Sequence, residues 1–187
     1  MVERELILGG QKSGKSRRAE LTAAGWLAAS PSHDAVLIAT AQPWDDEMRE
    51  RIARHQEDRA QRVPGLHTVE EPLALAEAVS THSAPQTLVL VDCLTLWLTN
   101  RLMPMPDAEA ATESPAQAID ALLVVLAEAR GPVVLVGNEI GLGVIPMGRE
   151  VRTFVDALGR LNQSIAAACD RVTLMVAGLP LTLKEPA

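Results

Sequence analysis

The sequence predicts a single α/β domain of three layers, in which helices cover both faces of a mainly parallel sheet. Short apolar runs alternate along the 187 residues with longer segments of helical periodicity, the order expected of repeated β-α units. The apolar runs are continuous, as in strands that are buried on both faces. With 48% hydrophobic and 22% charged residues, the chain can bury one substantial core. We expect one domain over residues 1–187.

Five apolar runs are the predicted strands. They are Leu6–Leu8, Ala35–Ala39, Thr87–Val91, Val133–Val136 and Arg171–Val176. Six longer segments have apolar residues at helical spacing and are predicted helices. They are Ser16–Ala29, Asp45–Gln61, Leu73–Val79, Leu94–Leu102, Ile119–Ala129 and Glu150–Cys169. The segment Met103–Pro115 carries three prolines and several small residues, which predicts a surface loop.

Composition and charge exclude some classes of function. The net charge of −7 argues against a general nucleic-acid binder, which needs a basic face. Cys93 and Cys169 form no CxxC pair, so we expect buried free thiols in a reducing compartment. The start, Met1–Glu5, is mixed in charge and unlike a signal peptide. Since no apolar stretch approaches the ~20 residues of a membrane span, we expect a soluble cytoplasmic protein.

The most informative motif follows the first predicted strand and opens the first helix. It reads Gly9-Gly10-Gln11-Lys12-Ser13-Gly14-Lys15-Ser16 and fits the Walker A pattern of a P-loop. The glycines let backbone N–H groups face phosphates, and the helix N-terminus adds a partial positive charge. We expect Lys15 to bridge the β- and γ-phosphates of a nucleoside triphosphate and Ser16 to offer a hydroxyl to Mg²⁺. The alternative is a glycine turn with an exposed lysine.

Asp92 directly follows the strand Thr87–Val91, which is the position of a Walker B carboxylate. A carboxylate at the carboxyl end of a strand can hold Mg²⁺ or its water beside the phosphates. The competing interpretation is a cap for the helix that begins near Leu94. In combination with the P-loop, we favour a Mg²⁺ site that includes Ser16 and Asp92.

A basic face with one histidine is predicted on the second helix. Arg51, His55 and Arg59 are spaced four residues apart and therefore share one side of it. One interpretation is a solvated surface with a Glu47–Arg51 pair. The other is a reactive site, because flanking cations keep an imidazole neutral, a neutral imidazole can attack phosphorus, and arginines can hold phosphates. These residues alone leave both interpretations open.

From Leu6 to Lys184, an ordered series of motifs resembles the bifunctional adenosylcobinamide kinase / adenosylcobinamide-phosphate guanylyltransferase family of cobalamin biosynthesis. The series comprises the P-loop with Arg17, Ile38–Ala41, Asp45–Met48, Arg51-Ile52, His55, Thr68–Pro72, Val91–Thr95, Asn100, Asn138–Pro146 and Arg152–Gln163. The P-loop alone is not specific to this family, whereas the ordered series is.

The resemblance implies a RecA-like P-loop NTPase domain with two activities. The first phosphorylates the aminopropanol hydroxyl of adenosylcobinamide with ATP or GTP. The second transfers GMP from GTP to the product through a GMP-histidine, releasing pyrophosphate and forming adenosylcobinamide-GDP. By position the histidine is His55, and with Lys15 it forms the expected catalytic pair. A homotrimer and further nucleotide contacts are also implied, the contacts at Ala39, Thr40, Ala41, Gln56, Glu57, Asp58, Arg59, Glu70 and Asp92.

The segment after His55 departs from the family's pattern. The family usually follows its histidine with Arg, two variable residues, Arg-Pro and soon a Trp. Here Gln56 replaces the first Arg, the proline is displaced to Pro64, and His67 stands near the position of the Trp. His67 is therefore a rival nucleophile, and a small-molecule kinase without nucleotidyl transfer is one alternative function.

A nucleotide-dependent switch or motor is the other alternative. The chain has no Asn-Lys-x-Asp guanine motif, and Asp156–Gly159 matches Asp-x-x-Gly only inside a predicted helix. Hydrolysis of GTP without phosphorylation of cobinamide would favour this class.

Overall fold

The computed structural model describes residues 3–104 and 113–186, apart from the side chain of Arg51. Its strands are β1 (Arg4–Gly9), β2 (Asp34–Ala39), β3 (Leu66–Glu70), β4 (Thr87–Asp92), β5 (Val133–Asn138), β6 (Arg171–Val176) and β7 (Leu179–Lys184). Its helices are α1 (Lys15–Ala29), α2 (Asp46–Arg62), α3 (Leu75–His82), α4 (Leu94–Leu102), α5 (Pro115–Glu128) and α6 (Arg149–Ala168).

One sheet contains all of these strands in the order β3-β2-β4-β5-β1-β6-β7. The pairs along it are parallel except β6–β7, which is antiparallel. The prediction of a mainly parallel sheet is confirmed. Since β5 lies between β1 and β4, the strand before the P-loop and the strand that ends at Asp92 are separated by a single strand.

The core lies in two layers, one on each face of this sheet. Alternate residues of one strand belong to different layers: Leu6 and Leu8 pack with α3 to α6, whereas Ile7 packs with Ala19 and Ala23 of α1. This alternation is the side-chain period of a β-strand, and burial on both faces explains why the strands read as continuous apolar runs. The three-layer prediction is confirmed.

Two strands at the edges of the sheet were not among the predictions. In β3 only Leu66 and Val69 are half-buried and the rest is exposed, so no apolar run marks the strand. In β7 every residue is exposed, although leucines alternate with other residues over Leu179–Lys184. That period of two after the Ala177-Gly178 turn was a usable signal for a hairpin.

Helix α5 begins four residues earlier than Ile119, where the sequence placed it. The Ser114 hydroxyl accepts a hydrogen bond from Gln117 N–H at 3.3 Å, and Gln117 Oε1 accepts from Ser114 N–H at 3.0 Å. This reciprocal capping, with Pro115 at the first helical position, starts the helix before its apolar pattern begins. Most of the loop predicted over Met103–Pro115 lies outside the described residues.

The two cysteines are buried and free, as predicted. Burial raises the pKa of Cys93 and of Cys169 to about 12, so both thiols stay neutral at physiological pH. Among the described residues, no helix combines the length and the apolar character that crossing a bilayer requires.

Candidate active site

The predicted site residues lie along the edge where the parallel strands end. The register aligns Gly9 with Asn138, and Ala39 with both Asp92 and Glu70. The P-loop is therefore at the β1 position of this edge and Glu70 at the β3 position. Four strand spacings separate β1 from β3, which is about 19 Å across the sheet at ~4.8 Å per strand.

The P-loop backbone takes conformations that its glycines permit. Gly9 and Gly14 have φ angles of 155° and 99°, a region that favours glycine. A Cβ atom on Gly9 would lie 2.6 Å from both the Met175 carbonyl oxygen and Ser13 Oγ, so no larger residue fits there. The Gly178 N–H donates to the Ser13 carbonyl at 3.0 Å, which ties the loop to the turn between β6 and β7.

Lys15 lies folded over this loop. Lys15 is only 8% exposed, and its Nζ atom donates to the Gly10 carbonyl at 2.7 Å. The Ser13 hydroxyl is buried and has no hydrogen-bond partner among the described residues. A buried polar group without a partner costs free energy, and a phosphate oxygen would supply one. The loop is therefore arranged as an anion site.

The charges of Lys15 and Asp92 both shift the pKa of one buried thiol, that of Cys93. Burial and then the negative charge of Asp92 raise the pKa of Cys93 to about 12, whereas the positive charge of Lys15 lowers it. Since charge interactions weaken with distance, the Walker A lysine and the Walker B carboxylate both lie near this thiol. The N-cap residue of α4 is Cys93 and has no side-chain cap, so the capping interpretation of Asp92 is wrong.

Ser16 and Asp92 fit a Mg²⁺ ion that arrives with a nucleotide. Ser16 lies in the first turn of α1, Asp92 ends β4, and both are half-buried. Hydroxyl and carboxylate oxygens are ligands that Mg²⁺ prefers, and one or two such groups normally complement the phosphates and water. The donor set therefore suits a metal shared with phosphate.

The Thr40 side chain makes hydrogen bonds within the fold. Its Oγ1 accepts from the Cys93 N–H at 2.8 Å and donates to the Cys93 carbonyl at 2.7 Å. Its carbonyl accepts from Asn100 Nδ2 at 2.8 Å, and the residue is fully buried. The expected nucleotide contact at Thr40 stays a prediction, as do those at Ala39 and Ala41, which are both half-buried.

Arg59 points into the protein. It is 8% exposed, its Nε lies 3.6 Å from Glu20 Oε1, and Nη1 donates to Thr68 Oγ1 at 3.4 Å. Glu20 also accepts from Arg62 Nε at 2.9 Å. The expectation that Arg59 binds the nucleotide stays a prediction. In this structure its guanidinium pairs with a buried carboxylate, Glu20, that joins α2 to α1.

His55 is exposed in the middle of α2. Its neighbour Gln56 donates from Nε2 to Glu70 Oε1 at 3.0 Å, which brings this part of the helix to the end of β3. Glu57 and Asp58 are exposed as well. His55 therefore belongs to the β3 end of the edge, opposite the P-loop. The side chain of Arg51, predicted to share its face, lies outside the described structure.

His67 is poorly placed to act as the rival nucleophile. It is the second residue of β3 and is in register with Val36. Its Nε2 atom lies 3.8 Å from Asp34 Oδ1, at the start of β2. His67 thus lies toward the amino ends of the strands, away from the edge that carries the P-loop.

Replacing Glu20 by alanine is expected to lower the free energy of unfolding by about 3–5 kcal/mol, because the buried Arg59 charge loses its partner. Urea denaturation of both proteins measures this loss. The control is Asp46→Ala, which removes an exposed partner of Arg49 and is expected to cost about 1 kcal/mol or less. Equally small losses of unfolding free energy in the two variants would contradict a structural role for Glu20, Arg59 and Arg62, which we call the Glu20 cluster.

Comparison with known families decides the assignment. Residues 5–183 match the family model described as cobinamide kinase / cobinamide phosphate guanyltransferase. The chain belongs to this family. In this member of the cobinamide kinase / cobinamide phosphate guanyltransferase family, the P-loop and the helix that carries His55 lie at the two ends of one sheet edge.

Two curated relatives match over nearly their whole length. The bifunctional adenosylcobalamin biosynthesis protein CobP of Pseudomonas aeruginosa is 49% identical over 185 residues, which cover 98% of this chain and 99% of the relative. The bifunctional adenosylcobalamin biosynthesis protein CobU of Escherichia coli is 35% identical over 187 residues, covering 96% and 98%.

A solved structure supports the fold. The flagellar accessory protein FlaH from Methanocaldococcus jannaschii is similar with a TM-score of 0.56, over 98% of this chain and 79% of its own, at 11% identity. At that identity the likeness bears on architecture alone, and it agrees with the three-layer α/β domain that the sequence predicts.

Sequence reasoning missed Glu20 as the anchor of α2. Glu20 is 42 positions from Arg62, and one glutamate in a helix carries no signal of such a partner. Arg59 is buried because it also pairs with Glu20, so its burial could not be predicted from the sequence either. Only packing of α2 against α1 reveals either residue's role.

Proposed function

We propose that this chain phosphorylates adenosylcobinamide and then transfers GMP from GTP onto the phosphorylated product. The observation that supports both halves is a single sheet edge with a P-loop at one end and an exposed histidine at the other. A P-loop stabilises the transfer of a terminal phosphoryl group, whereas a histidine can carry a nucleotidyl group covalently.

In the first reaction, the P-loop holds the β- and γ-phosphates of ATP or GTP. The Lys15 ammonium and the N–H groups at the start of α1 neutralise charge on the phosphoryl oxygens during transfer. Because Lys15 is buried, water screens this interaction little. Mg²⁺ held by Ser16 and Asp92 supplies further charge neutralisation when it is bound. The aminopropanol hydroxyl takes the γ-phosphoryl group and a nucleoside diphosphate leaves.

In the second reaction, a neutral imidazole of His55 attacks the α-phosphorus of GTP. A nitrogen–phosphorus bond forms as the bond to pyrophosphate breaks. The phosphate of adenosylcobinamide phosphate then attacks the same phosphorus, which yields adenosylcobinamide-GDP and restores the free histidine. Glu57, Asp58 and the Gln56–Glu70 pair flank the place where the guanosine is held.

The separation of the two ends implies a movement of α2. The α-phosphorus is only two phosphate units from the γ-phosphorus, far less than the ~19 Å between the β1 and β3 positions. Among the described side chains of α2, Arg59 alone is buried. We propose that α2 swings toward the P-loop about its Glu20-anchored C-terminal end when GTP binds.

The exposed edge of the sheet supports association between copies of this chain, and we propose the homotrimer that the family resemblance implies. Leu179, Leu181 and Leu183 of β7 are 54–70% exposed, and β7 is the last strand of the sheet. An apolar strand at a free edge is unfavourable in an isolated monomer. Light scattering on the purified protein should give three times the mass of one chain.

We also propose that the protein works in the cytoplasm, where ATP and GTP are available.

Labelling with GTP tests the proposal. Incubation with Mg²⁺ and α-labelled GTP should leave label on the protein through an acid-labile, base-stable bond, whereas γ-labelled GTP should leave none. Adding adenosylcobinamide phosphate should move the label into adenosylcobinamide-GDP. Phosphorylation of adenosylcobinamide without any covalent label would show a kinase only. GTP hydrolysis with neither product would show a switch or motor.

A further inference from the structure

The segment Asn138–Pro146 matches the family series of motifs but holds none of the residues assigned above to either reaction. It begins at the end of β5, the strand between β1 and β4. Asn138 is in register with Gly9, and the Glu139 N–H donates to the Gly9 carbonyl at 3.1 Å. Glu139 is therefore held at the root of the P-loop, on the side toward Asp92.

The Glu139 carboxylate is held by its own turn. Its Oε1 accepts from the Gly141 N–H at 2.8 Å, and the residue is half-buried. A Cβ atom on Gly141 would come within 3.1 Å of the same oxygen, so glycine leaves this contact unhindered. One hydrogen bond fixes the carboxylate, and its remaining acceptor sites stay available for a substrate proton.

The surface next to Glu139 suits a bulky acceptor. The loop between β5 and α6 exposes large apolar side chains to solvent, with 83% exposure at Leu142, 96% at Val144 and 78% at Ile145. Such a cluster of exposed apolar residues is unusual unless a ligand or partner covers it. An acceptor with a large ring can rest against this loop while its hydroxyl reaches the edge.

We propose that Glu139 is the general base of the phosphoryl-transfer reaction, a role that rests on the proposed kinase function. Its carboxylate takes the proton of the acceptor hydroxyl as that oxygen forms a bond to the γ-phosphorus. The bond between the γ-phosphorus and the β–γ bridging oxygen breaks, and its electron pair leaves with the nucleoside diphosphate. Asp92 is also a carboxylate at this edge, but its place with Ser16 assigns it to Mg²⁺, and Glu70 lies at the distant β3 position.

The test compares Glu139→Gln and Glu139→Asp with the wild type, using ATP, Mg²⁺ and adenosylcobinamide. Because glutamine keeps the shape but cannot take a proton, Glu139→Gln should lower kcat about 10²- to 10⁴-fold with KM for ATP nearly unchanged. Glu139→Asp should recover part of kcat. Covalent labelling by α-labelled GTP should remain in both variants, since that step needs no acceptor hydroxyl. Glu128→Gln, an exposed residue of α5, is the matched control.

Two results would overturn the assignment. One is a Glu139→Gln enzyme that phosphorylates adenosylcobinamide as fast as the wild type. The other is an equal loss of phosphorylation and covalent labelling, which would mean that Glu139 supports the metal or the P-loop. A wild-type protein that forms no adenosylcobinamide phosphate would instead contradict the proposed function itself.

Discussion

A His55→Ala protein is expected to acquire no GMP from GTP while it still phosphorylates adenosylcobinamide. Removing the nucleophile removes the covalent step, so labelling should fall by at least about 10³-fold. Phosphorylation depends on the P-loop at the opposite end of the edge and should be within a few-fold of the wild type. Protein-bound radioactivity after denaturation measures the first reaction, and product chromatography measures the second.

The matched control for this prediction is His67→Ala. His67 is the exposed histidine that the altered segment offers as a rival, and it lies toward the amino ends of the strands. Its replacement should leave labelling intact. Label that survives in His55→Ala but disappears in His67→Ala would transfer the nucleophile to His67 and refute the assignment from register.

A Lys15→Met protein is expected to lose both reactions together. Lys15 is the buried cation of the P-loop, and both phosphoryl transfer and guanylyl transfer begin with a triphosphate on that loop. Loss of one pre-organised donor to a charged transition state costs about 10²- to 10³-fold in rate. Steady-state rates of phosphorylation and the rate of GMP labelling should therefore fall in parallel.

Lys184→Met is the control for loss of a lysine charge. Lys184 Nζ donates to the Ala166 and Ala167 carbonyls at 3.1 Å, so it caps the end of α6 and lies far from the P-loop in the fold. This variant should lose some stability and keep its catalytic rates. A Lys15→Met protein that is labelled by GTP at the wild-type rate would show that guanylyl transfer uses a triphosphate bound elsewhere.

The two variants together separate the ends of the edge. If the His55 and Lys15 replacements gave the same pattern of losses, the histidine would have no role distinct from the P-loop.

The proposed movement of α2 leads to a related prediction. Since the Glu20 cluster anchors that helix, Glu20→Ala should disturb labelling more than phosphorylation at temperatures where the variant remains folded.

Local chemistry explains how much of the fold could be predicted. Buried strands such as β4 and β5 can be predicted from the sequence, because burial on both faces requires a continuous apolar run. The edge strands β3 and β7 lack that requirement, and they were missed. The start of α5 was also missed, since Ser114 caps the helix before its apolar pattern begins.

The sequence by itself determined the P-loop, the α/β class and the candidate histidine. The loop could be read directly because its function resides in consecutive backbone N–H groups, glycines and one lysine, all within Gly9–Ser16.

Tertiary structure alone decided which side chains face the nucleotide edge. Helical spacing put His55 and Arg59 on one face, yet packing against α1 buried Arg59 on Glu20 and left His55 exposed. Likewise, the register of β5 between β1 and β4 brought Glu139 beside Gly9. Such pairings join residues that are distant in the chain, and burial and electrostatics, which local periodicity does not encode, determine them.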